Sequence, residues 1–296
     1  MERIKMRILC TGSLGMLGSA IREVFADHDL LLTDIKELDV RNWTEIKKYV
    51  HSSIELIINL AALTDLEECE QYPKNAFETN TIGVMHLRHL CEILDIPIVH
   101  ISTAGIFNGK KLVYIEEDKP HPLNQYGLSK LQGEQVLYDY EKAYIFRCSW
   151  MMGGGVNIDK KFVNKIFKQL LDGKKEIKVY PNIIGSPTYT LDVAKSIKKA
   201  IELKIPYGIY NCAGEGVASR YEVAKLFIKY LGIKGIKVIK AHKDELKDMF
   251  PCVRSTGEVL CNNKLIATGA SCMRDWHITL KEYTEKCYKP YLPFIH

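Results

Sequence analysis

The sequence predicts an α/β protein with a doubly wound parallel sheet and a smaller C-terminal region. In the first half of the 296-residue chain, apolar strand-like runs alternate with helical patterns, as expected for parallel βαβ units. The strand-like runs are MRILC, LLLTD, IELIINLA, IPIVHIS and AYIFRCS. The predicted helices among them cover residues 16–26, 42–50, 75–95 and 127–141.

The pattern changes near residue 150, where loops rich in glycine and proline join further helices. These helices are predicted at 159–173, 190–203 and 219–231, with only short strands such as IKVY and GIYNC. We therefore expect the sheet domain to span residues 1–150 and a smaller, mainly helical substrate-binding region to span 151–296. Residues 177–212 are expected to return to the sheet domain.

Composition and charge exclude several classes of protein. The net charge is +5, but lysine and glutamate are interleaved, which is typical of solvated helix faces and not of a nucleic-acid surface. Nine scattered cysteines without a CxxC pair favour reduced thiols, and no HExxH spacing indicates a catalytic metal. The N-terminus has no signal-peptide pattern, and no apolar run approaches the ~18 residues of a membrane helix. We expect a cytoplasmic protein without nucleic-acid or membrane partners.

The stretch TGSLGMLGSA directly follows the first strand and opens the first helix. Its glycines, Gly12, Gly15 and Gly18, allow a tight turn and let a pyrophosphate approach backbone N–H groups at the helix N-terminus. A glycine-rich turn alone is weak support, so its place between strand and helix carries the prediction. The predicted cofactor residues in this turn are Gly12, Ser13, Leu14, Gly15, Met16 and Leu17.

Three further segments extend the predicted dinucleotide site. Asp34 ends the second strand about 20 residues beyond Gly12, where a carboxylate can accept hydrogen bonds from a ribose; an exposed turn aspartate is the alternative. The carboxylate favours NADH, and Lys36 leaves NADPH open as a cofactor. Asp39 and Val40 are predicted near the adenine, although Asp39 could instead cap the next helix. After the third strand, the predicted contacts are Ala61, Ala62 and Thr64.

The segment YGLSK places Tyr126 and Lys130 one helical turn apart. The same spacing occurs at Tyr138, Tyr221 and Tyr230, but only Tyr126 opens a helix after a strand that ends in hydroxyl residues, in VHISTAG. A lysine ammonium beside the phenol is expected to lower the pKa of Tyr126 toward neutrality, so that the phenol can exchange a proton with a sugar oxygen. Thr103 would hydrogen-bond the same oxygen.

Six segments together resemble the extended short-chain dehydrogenase/reductase superfamily, and within it the dTDP-4-dehydrorhamnose reductase branch. They are TGSLGMLG, NLAALTDLEECE, ISTAGIFNG, YGLSKLQGE, FRCSWMMGG and GSPTYTLDVA, over about residues 6 to 225. The resemblance implies a Rossmann-type fold and NAD(P)H-dependent reduction of a nucleotide-linked 4-keto-6-deoxyhexose. It also implies a nucleotide-diphosphate sugar as the partner and leaves a homodimer open.

The resemblance assigns the catalytic threonine, tyrosine and lysine to Thr103, Tyr126 and Lys130. Asn80 resembles the family's asparagine behind the cofactor, and Trp150 its tryptophan beside the sugar, for which a core aromatic is the alternative. The implied substrate-binding residues are Thr103, Ala104, Trp150, Ser186 and Thr188. The chain departs from the family at Ala104-Gly105, where rhamnose reductases usually carry Asp-Tyr. It also departs in FPCVRSTGEVLC, which lacks the Arg-Pro of many relatives.

Two other functions remain open from the sequence. A nucleotide-sugar epimerase on the same fold would have a similar hydroxyl-small-small run after the fourth strand. A non-catalytic NAD(P)-binding regulatory subunit would keep the dinucleotide site while its sugar pocket decays, and the loss of the Asp-Tyr pair is consistent with that. The presence of Thr103, Tyr126 and Lys130 together favours the reductase.

Overall fold

Six parallel strands form the central sheet of the computed structural model, in the order β10-β5-β4-β3-β1-β2. The structure describes residues 5–242, 245 and 252–294, so Phe250 and Pro251 of the FPCVRSTGEVLC segment lie outside it. The strands are β1 (Arg7–Thr11), β2 (Asp29–Leu32), β3 (Leu56–Asn59), β4 (Ile98–Thr103), β5 (Ala143–Cys148), β6 (Met151–Met152), β7 (Glu176–Val179), β8 (Ile184–Gly185), β9 (Thr188–Tyr189), β10 (Gly208–Asn211), β11 (Ala218–Ser219), β12 (Lys237–Lys240) and β13 (Gly257–Glu258).

Helices cover both faces of this sheet, as the predicted βαβ alternation requires. They are α1 (Met16–Val24), α2 (Trp43–Ile46), α3 (Leu66–Gln71), α4 (Pro73–Phe77), α5 (Gly83–Leu94), α6 (Gln125–Val136), α7 (Gly155–Ile158), α8 (Phe162–Leu171), α9 (Thr190–Glu202), α10 (Arg220–Leu231), α11 (Asn263–Ala267) and α12 (Trp276–Cys287). One apolar core includes side chains of β1, β4, α1 and α9, and a second includes side chains of β3, β4 and α5. The α/β fold is confirmed.

Three helix predictions differ from the structure. The predicted helix over 75–95 is interrupted, because α4 and α5 are separated by a π-helical turn, Glu78–Ile82. The predicted helix over 42–50 is α2 followed by the 3₁₀ turn Lys47–Tyr49. The helix predicted over 127–141 starts and ends earlier, as α6, so Tyr138 lies beyond its end and not within it.

After β5 the chain builds a smaller region with its own core. Short strands pair in small sheets there: β7 with β12, β6 with β9, and β8 with both β11 and β13. Side chains of α8, α10 and α12 pack together in a separate apolar cluster. Within the segment 177–212 expected to return to the sheet domain, α9 and β10 pack with the central sheet, whereas β7 lies outside it.

The nine cysteine thiols are all free, and six of them are buried. Burial raises the pKa of the Cys10 thiol to about 12, which keeps it protonated and unreactive. Across the described residues, no helix is both long and apolar enough to cross a membrane.

Candidate active site

The glycine turn lies at the carboxyl end of β1, beside the end of β3. Gly12 has φ +65°, and a Cβ there would come within 2.7 Å of the Ala61 backbone nitrogen. A Cβ on Gly18 would approach the Ser13 carbonyl oxygen to 2.3 Å. Helix α1 starts after Gly15 without a side-chain cap, which leaves N–H groups of its first turn open to an anion. The glycines thus allow a close-packed backbone turn, here called the cradle, in which side chains at Gly12 and Gly18 would overlap neighbouring backbone atoms.

Asp34 is hydrogen-bonded to the backbone of this glycine turn. Its Oδ2 accepts a hydrogen bond from Leu14 N at 3.0 Å, and its Oδ1 accepts one from Ile35 N at 2.9 Å. The side chain therefore lies beside the glycine turn, at the carboxyl end of the sheet. These two bonds also fix the position of its carboxylate.

Asp39 does not cap the following helix, so that alternative is wrong. The cap of α2 is Asn42, whose Oδ1 accepts a hydrogen bond from Thr44 N at 3.0 Å. Asp39 instead pairs with the guanidinium of Arg41, which lowers the pKa of the carboxyl. Val40 is buried, with its side chain packed against Gly83.

Thr103 and Tyr126 come together because two glycines allow a close approach between β4 and α6. Asn124 caps α6, accepting a hydrogen bond from Gly127 N at 2.8 Å. A Cβ on Gly127 would lie 2.3 Å from the Gly105 carbonyl oxygen. A Cβ on Gly105 would lie 3.3 Å from both Tyr126 Cε1 and Thr103 Oγ1. Gly105 thus leaves room for close contact between its backbone, the tyrosine ring and the Thr103 hydroxyl.

The expected lowering of the pKa of Tyr126 is wrong for this structure. Burial raises the pKa of the phenol to about 12, and a hydrogen bond with Thr103 only partly opposes that rise. Glu258, Cys69 and Cys148 add to it. The phenol is therefore held in its protonated, proton-donating form.

Lys130 is buried beneath the tyrosine, and its Nζ donates a hydrogen bond to the Ile101 carbonyl oxygen at 2.7 Å. Burial lowers the pKa of Lys130 to about 8, while Glu134 and Cys148 oppose that shift. The Ser102 hydroxyl, at the end of the same strand β4, is buried and has no hydrogen-bond partner among the described residues. A polar group left in that state indicates a missing partner at this edge of the sheet.

Asn80 lies in the π-helical turn between α4 and α5, a kind of distortion that is frequent at functional sites. Its side chain accepts a hydrogen bond from Leu63 N at 2.9 Å and donates to the Leu63 carbonyl oxygen at 3.0 Å. It also donates to Ser129 Oγ at 3.0 Å. Asn80 therefore ties the segment after β3 to α6.

Trp150 lies at the border between the sheet domain and the smaller region. Its side chain is 9% exposed, and its Nε1 donates a hydrogen bond to Glu258 Oε2 at 2.8 Å. The guanidinium of Arg220 stacks 3.6 Å from the ring centroid, and the Gly185 backbone lies against the six-membered ring. Burial raises the pKa of Glu258 and lowers that of Arg220 to about 10. The ring is thus held between charged groups and glycine backbone.

The other predicted sugar residues are more deeply enclosed. Ala104, Ser186 and Thr188 are fully buried. Thr188 Oγ1 donates to the Ser186 carbonyl oxygen at 2.8 Å and accepts from Gly214 N at 3.0 Å. Ser186 Oγ donates to the Gly216 carbonyl oxygen at 3.3 Å, so both hydroxyls are hydrogen-bonded within the chain.

Lys161, in the smaller region, contacts the predicted cofactor residue Thr64 and was not predicted from the sequence. Its Nζ donates to Thr64 Oγ1 at 3.1 Å and to the Thr64 carbonyl oxygen at 3.2 Å. This contact joins the smaller region to the end of β3, so Thr64 is held by a lysine from the other part of the chain.

Five residues that contact predicted site residues were missed by sequence reasoning. Asn59 Oδ1 accepts a hydrogen bond from Ala61 N at 3.2 Å, and His100 Nε2 lies 3.5 Å from Lys130 Nζ. The other three are Lys161, Arg220 and Glu258. His100 offered one signal, because a lone histidine stands inside the apolar strand IPIVHIS. No sequence signal pointed to Arg220 or Glu258, since both are far from Trp150 in the sequence and belong to no local pattern.

Comparison with known proteins gives one family and several relatives. The family described as RmlD substrate binding domain matches residues 6–289. A dTDP-4-dehydrorhamnose reductase of Mycolicibacterium smegmatis is 29% identical over 287 residues, covering 95% of this chain and 86% of the relative.

Two solved structures are similar over nearly the whole chain. A dTDP-4-dehydrorhamnose reductase of Clostridium acetobutylicum has a TM-score of 0.88 and 32% identity, covering 95% of this chain and 99% of that chain. The enzyme of the same name from Bacillus anthracis, solved in complex with NADP, has a TM-score of 0.88 and 30% identity. The match covers 96% of this chain and 100% of that enzyme.

Proposed function

Because this chain belongs to the RmlD substrate-binding-domain family, we propose that it reduces a nucleotide-linked 4-keto-6-deoxyhexose with a nicotinamide cofactor. The observation that carries the proposal is the meeting of Thr103 and Tyr126, above the buried Lys130, at the carboxyl edge of the sheet. That edge is where open α/β sheets bind their ligands, at the point where the strand order reverses between β1 and β3.

The residues present fit a nicotinamide dinucleotide. The cradle at Gly12 and Gly18 has room only for backbone, and the uncapped start of α1 suits a pyrophosphate. We place the pyrophosphate over Gly12 to Leu17 and the adenosine ribose near Asp34. Ala61, Ala62 and Thr64 would line the middle of the cofactor, and Lys130 would hold the nicotinamide ribose. When bound, the reduced nicotinamide supplies the hydride that reduces the keto carbon.

Tyr126 is the proton donor in this proposal. Its phenol Oη gives a proton to the keto oxygen, so that the carbonyl becomes a hydroxyl, and the phenolate must then be reprotonated. The raised pKa of Tyr126 keeps the acid form populated at neutral pH. Thr103, which shares a hydrogen bond with the phenol, would orient the same oxygen.

For the cofactor, we infer a preference for NADH over NADPH. The Asp34 carboxylate beside the glycine turn would repel the 2′-phosphate of NADPH, while a free 2′-hydroxyl could donate to it. The B. anthracis relative was solved in complex with NADP. The affinities of this chain for NADH and NADPH can therefore be compared with those of that relative.

The sugar is proposed to lie among Thr103, Tyr126 and Trp150, with Ala104, Ser186 and Thr188 shaping the wall. Glu258 supports this placement, because it contacts the Trp150 indole and its charge influences the phenol of Tyr126. A sugar held there would have its ring beside the proton donor.

The experiment is a screen of purified protein with NADH and with NADPH against thymidine-, uridine- and guanosine-diphosphate 4-keto-6-deoxyhexoses. Stoichiometric loss of reduced nicotinamide with one of these sugars is the expected result. An epimerase would interconvert the sugar without net oxidation of the cofactor. A regulatory subunit would bind the cofactor and turn over none of the sugars, and either outcome would overturn the proposal.

A further inference from the structure

His100 is a buried imidazole behind the proposed active site, with no part in the proposed proton transfer. It lies on β4, directly opposite Asn59 of β3. Asn59 in turn lies opposite Thr11 of β1. His100 is fully buried, and its Nε2 lies 3.5 Å from the Nζ of Lys130. A polar row therefore crosses three neighbouring strands and ends at the buried amine.

The orientation of the Asn59 amide is fixed by a donor that cannot change its role. The Ala61 backbone N–H donates to Asn59 Oδ1 at 3.2 Å, and Thr11 Oγ1 donates to the same oxygen at 2.7 Å. A backbone N–H can only donate, so the atom that it contacts must be the amide oxygen. The amide nitrogen of Asn59 is therefore the atom that lies 3.1 Å from His100 Nδ1.

This contact determines which nitrogen of His100 carries the proton. An amide nitrogen can only donate, so Nδ1 must accept and is unprotonated. Burial and the nearby Lys130 lower the pKa of His100 well below its usual value, so the ring is neutral. A neutral ring without a proton on Nδ1 carries it on Nε2. The Nε2–H therefore points toward the Nζ of Lys130.

We propose that His100 is a positioning residue that disfavours the ammonium form of Lys130 and thereby sets the pH at which the Tyr126–Lys130 pair loses its proton. A neutral amine can accept from Nε2–H and still donate to the Ile101 carbonyl, whereas an ammonium has no lone pair for that N–H. The consequence for turnover rests on the proposed function, but the tautomer of His100 does not.

The other groups that act on Lys130 are known from the structure. Glu134, one turn further along α6, and Cys148 on β5 favour the ammonium. Burial opposes it and is the stronger influence. His100 adds to the burial effect from the β4 side, and Tyr126 precedes Lys130 by one turn of α6.

The tautomer can be read directly by nitrogen-15 NMR of protein labelled at histidine, with His100 assigned from the spectrum of His100→Gln. We expect Nε2 protonated and Nδ1 unprotonated across neutral pH. A proton on Nδ1 in the unmodified protein would overturn the inference, whatever the variants do. This readout needs no substrate, so it stands even if the proposed function fails.

Asn59→Asp tests the tautomer most directly. One oxygen of its carboxylate would still accept hydrogen bonds from Ala61 N and Thr11 Oγ1. The other oxygen would face His100 Nδ1, which would then have to carry the proton. Nε2 would then accept from the Lys130 ammonium. In the proposed function the ammonium of Lys130 holds the nicotinamide ribose, so ketosugar reduction should fall as pH rises through the pKa of Lys130. In Asn59→Asp this alkaline limb should move upward by about one pH unit or more. The measurement is the pH profile of kcat/KM.

Two further variants separate the tautomer from the added charge. His100→Gln offers an acceptor to Asn59 and a donor to Lys130, so its alkaline limb should stay near that of the unmodified protein. The double variant Asn59→Asp/His100→Phe keeps the new carboxylate but has no imidazole to relay it to Lys130. We expect most of the upward shift of the alkaline limb to disappear in this variant. A full shift in this double variant would mean that charge alone acts, and would overturn the inference.

Discussion

The glycine turn and the surroundings of Trp150, both assigned to the proposed site, differ in what defines their shape. At the turn, backbone atoms and missing side chains define the shape: a Cβ on Gly18 would overlap the Ser13 carbonyl oxygen. Around Trp150, charged side chains from distant segments define it, with Glu258 on the indole nitrogen and Arg220 on the ring. The shape of the glycine turn is therefore set by steric contacts. The position of the Trp150 ring depends on two charged side chains, so a single substitution can change it.

The largest expected effect belongs to neither region but to Tyr126, the proton donor of the proposed function. Tyr126→Phe keeps the ring against Gly105 but removes the proton donor, so turnover should fall by ~10²–10⁴ while cofactor affinity is unchanged. Tyr138→Phe is the matched control, because that hydroxyl lies beyond the end of α6, where its hydrogen-bond partners are Glu134 Oε2, at 3.3 Å, and the Arg147 side chain. Its turnover should stay within a few-fold of the unmodified protein. Equal losses in the two variants would remove Tyr126 from the chemistry.

The steric account of the turn predicts a contrast between two glycines. In Gly18→Ala the new Cβ would force the turn backbone to move, so NADH affinity should fall by about 100-fold. In Gly15→Ala the nearest protein atom is the Gly12 carbonyl oxygen at 3.3 Å, which a small adjustment can relieve, so the turn itself should keep its shape. Fluorescence titration with NADH measures affinity, and thermal unfolding without cofactor compares the stability of the two variants. A Gly18→Ala protein as stable as Gly15→Ala, with unchanged NADH affinity, would mean that close approach does not define the turn.

The charge account of the Trp150 region predicts an effect on the sugar alone. Glu258→Ala leaves the indole N–H of Trp150 without its acceptor and should raise KM for the sugar by about 10-fold. Glu258→Gln keeps an acceptor and should show a smaller rise. Cofactor affinity should not change in either variant. An unchanged KM in Glu258→Ala would place Trp150 in the core and not beside the sugar.

The smallest expected effect concerns cofactor choice at Asp34. Asp34→Asn keeps an acceptor for a backbone N–H of the turn but removes the charge, so the preference for NADH over NADPH should narrow by a few-fold. Asp34→Ala should also weaken NADH binding, because the turn loses the hydrogen bond from Leu14 N to the carboxylate. The measurement is the dissociation constant of NADH and of NADPH for the unmodified protein and for each variant. A preference that stays the same in both variants would contradict the role given to the carboxylate.

The sequence was most informative where local rules apply. The alternation of apolar strand-like runs with helical patterns is a short-range signal, and the α/β fold that it predicted is confirmed. The interruption of the predicted 75–95 helix could not be seen, because the π-helical turn depends on the contacts of Asn80 with Leu63 and Ser129. The predicted direction of the pKa shift of Tyr126 was also wrong, since burial of the ring raises the pKa more than the hydrogen bond with Thr103 lowers it.

Long-range charge pairs were beyond sequence reasoning for a similar reason. Glu258 reaches Trp150 only because β13 pairs with β8, and Arg220 reaches the same ring from the start of α10. Neither residue belongs to a motif. Their positions depend on how the smaller region packs, which no local periodicity specifies.

The central claim is that Tyr126 donates the proton in a net reduction. The most direct measurement is the stoichiometry of reduced nicotinamide consumed per ketosugar converted, in the unmodified protein and in Tyr126→Phe at matched cofactor saturation. The account predicts one equivalent of cofactor oxidised per sugar, and a loss of this reaction in Tyr126→Phe with the cofactor still bound. Conversion of the sugar without cofactor oxidation, or an unchanged rate in Tyr126→Phe, would contradict it.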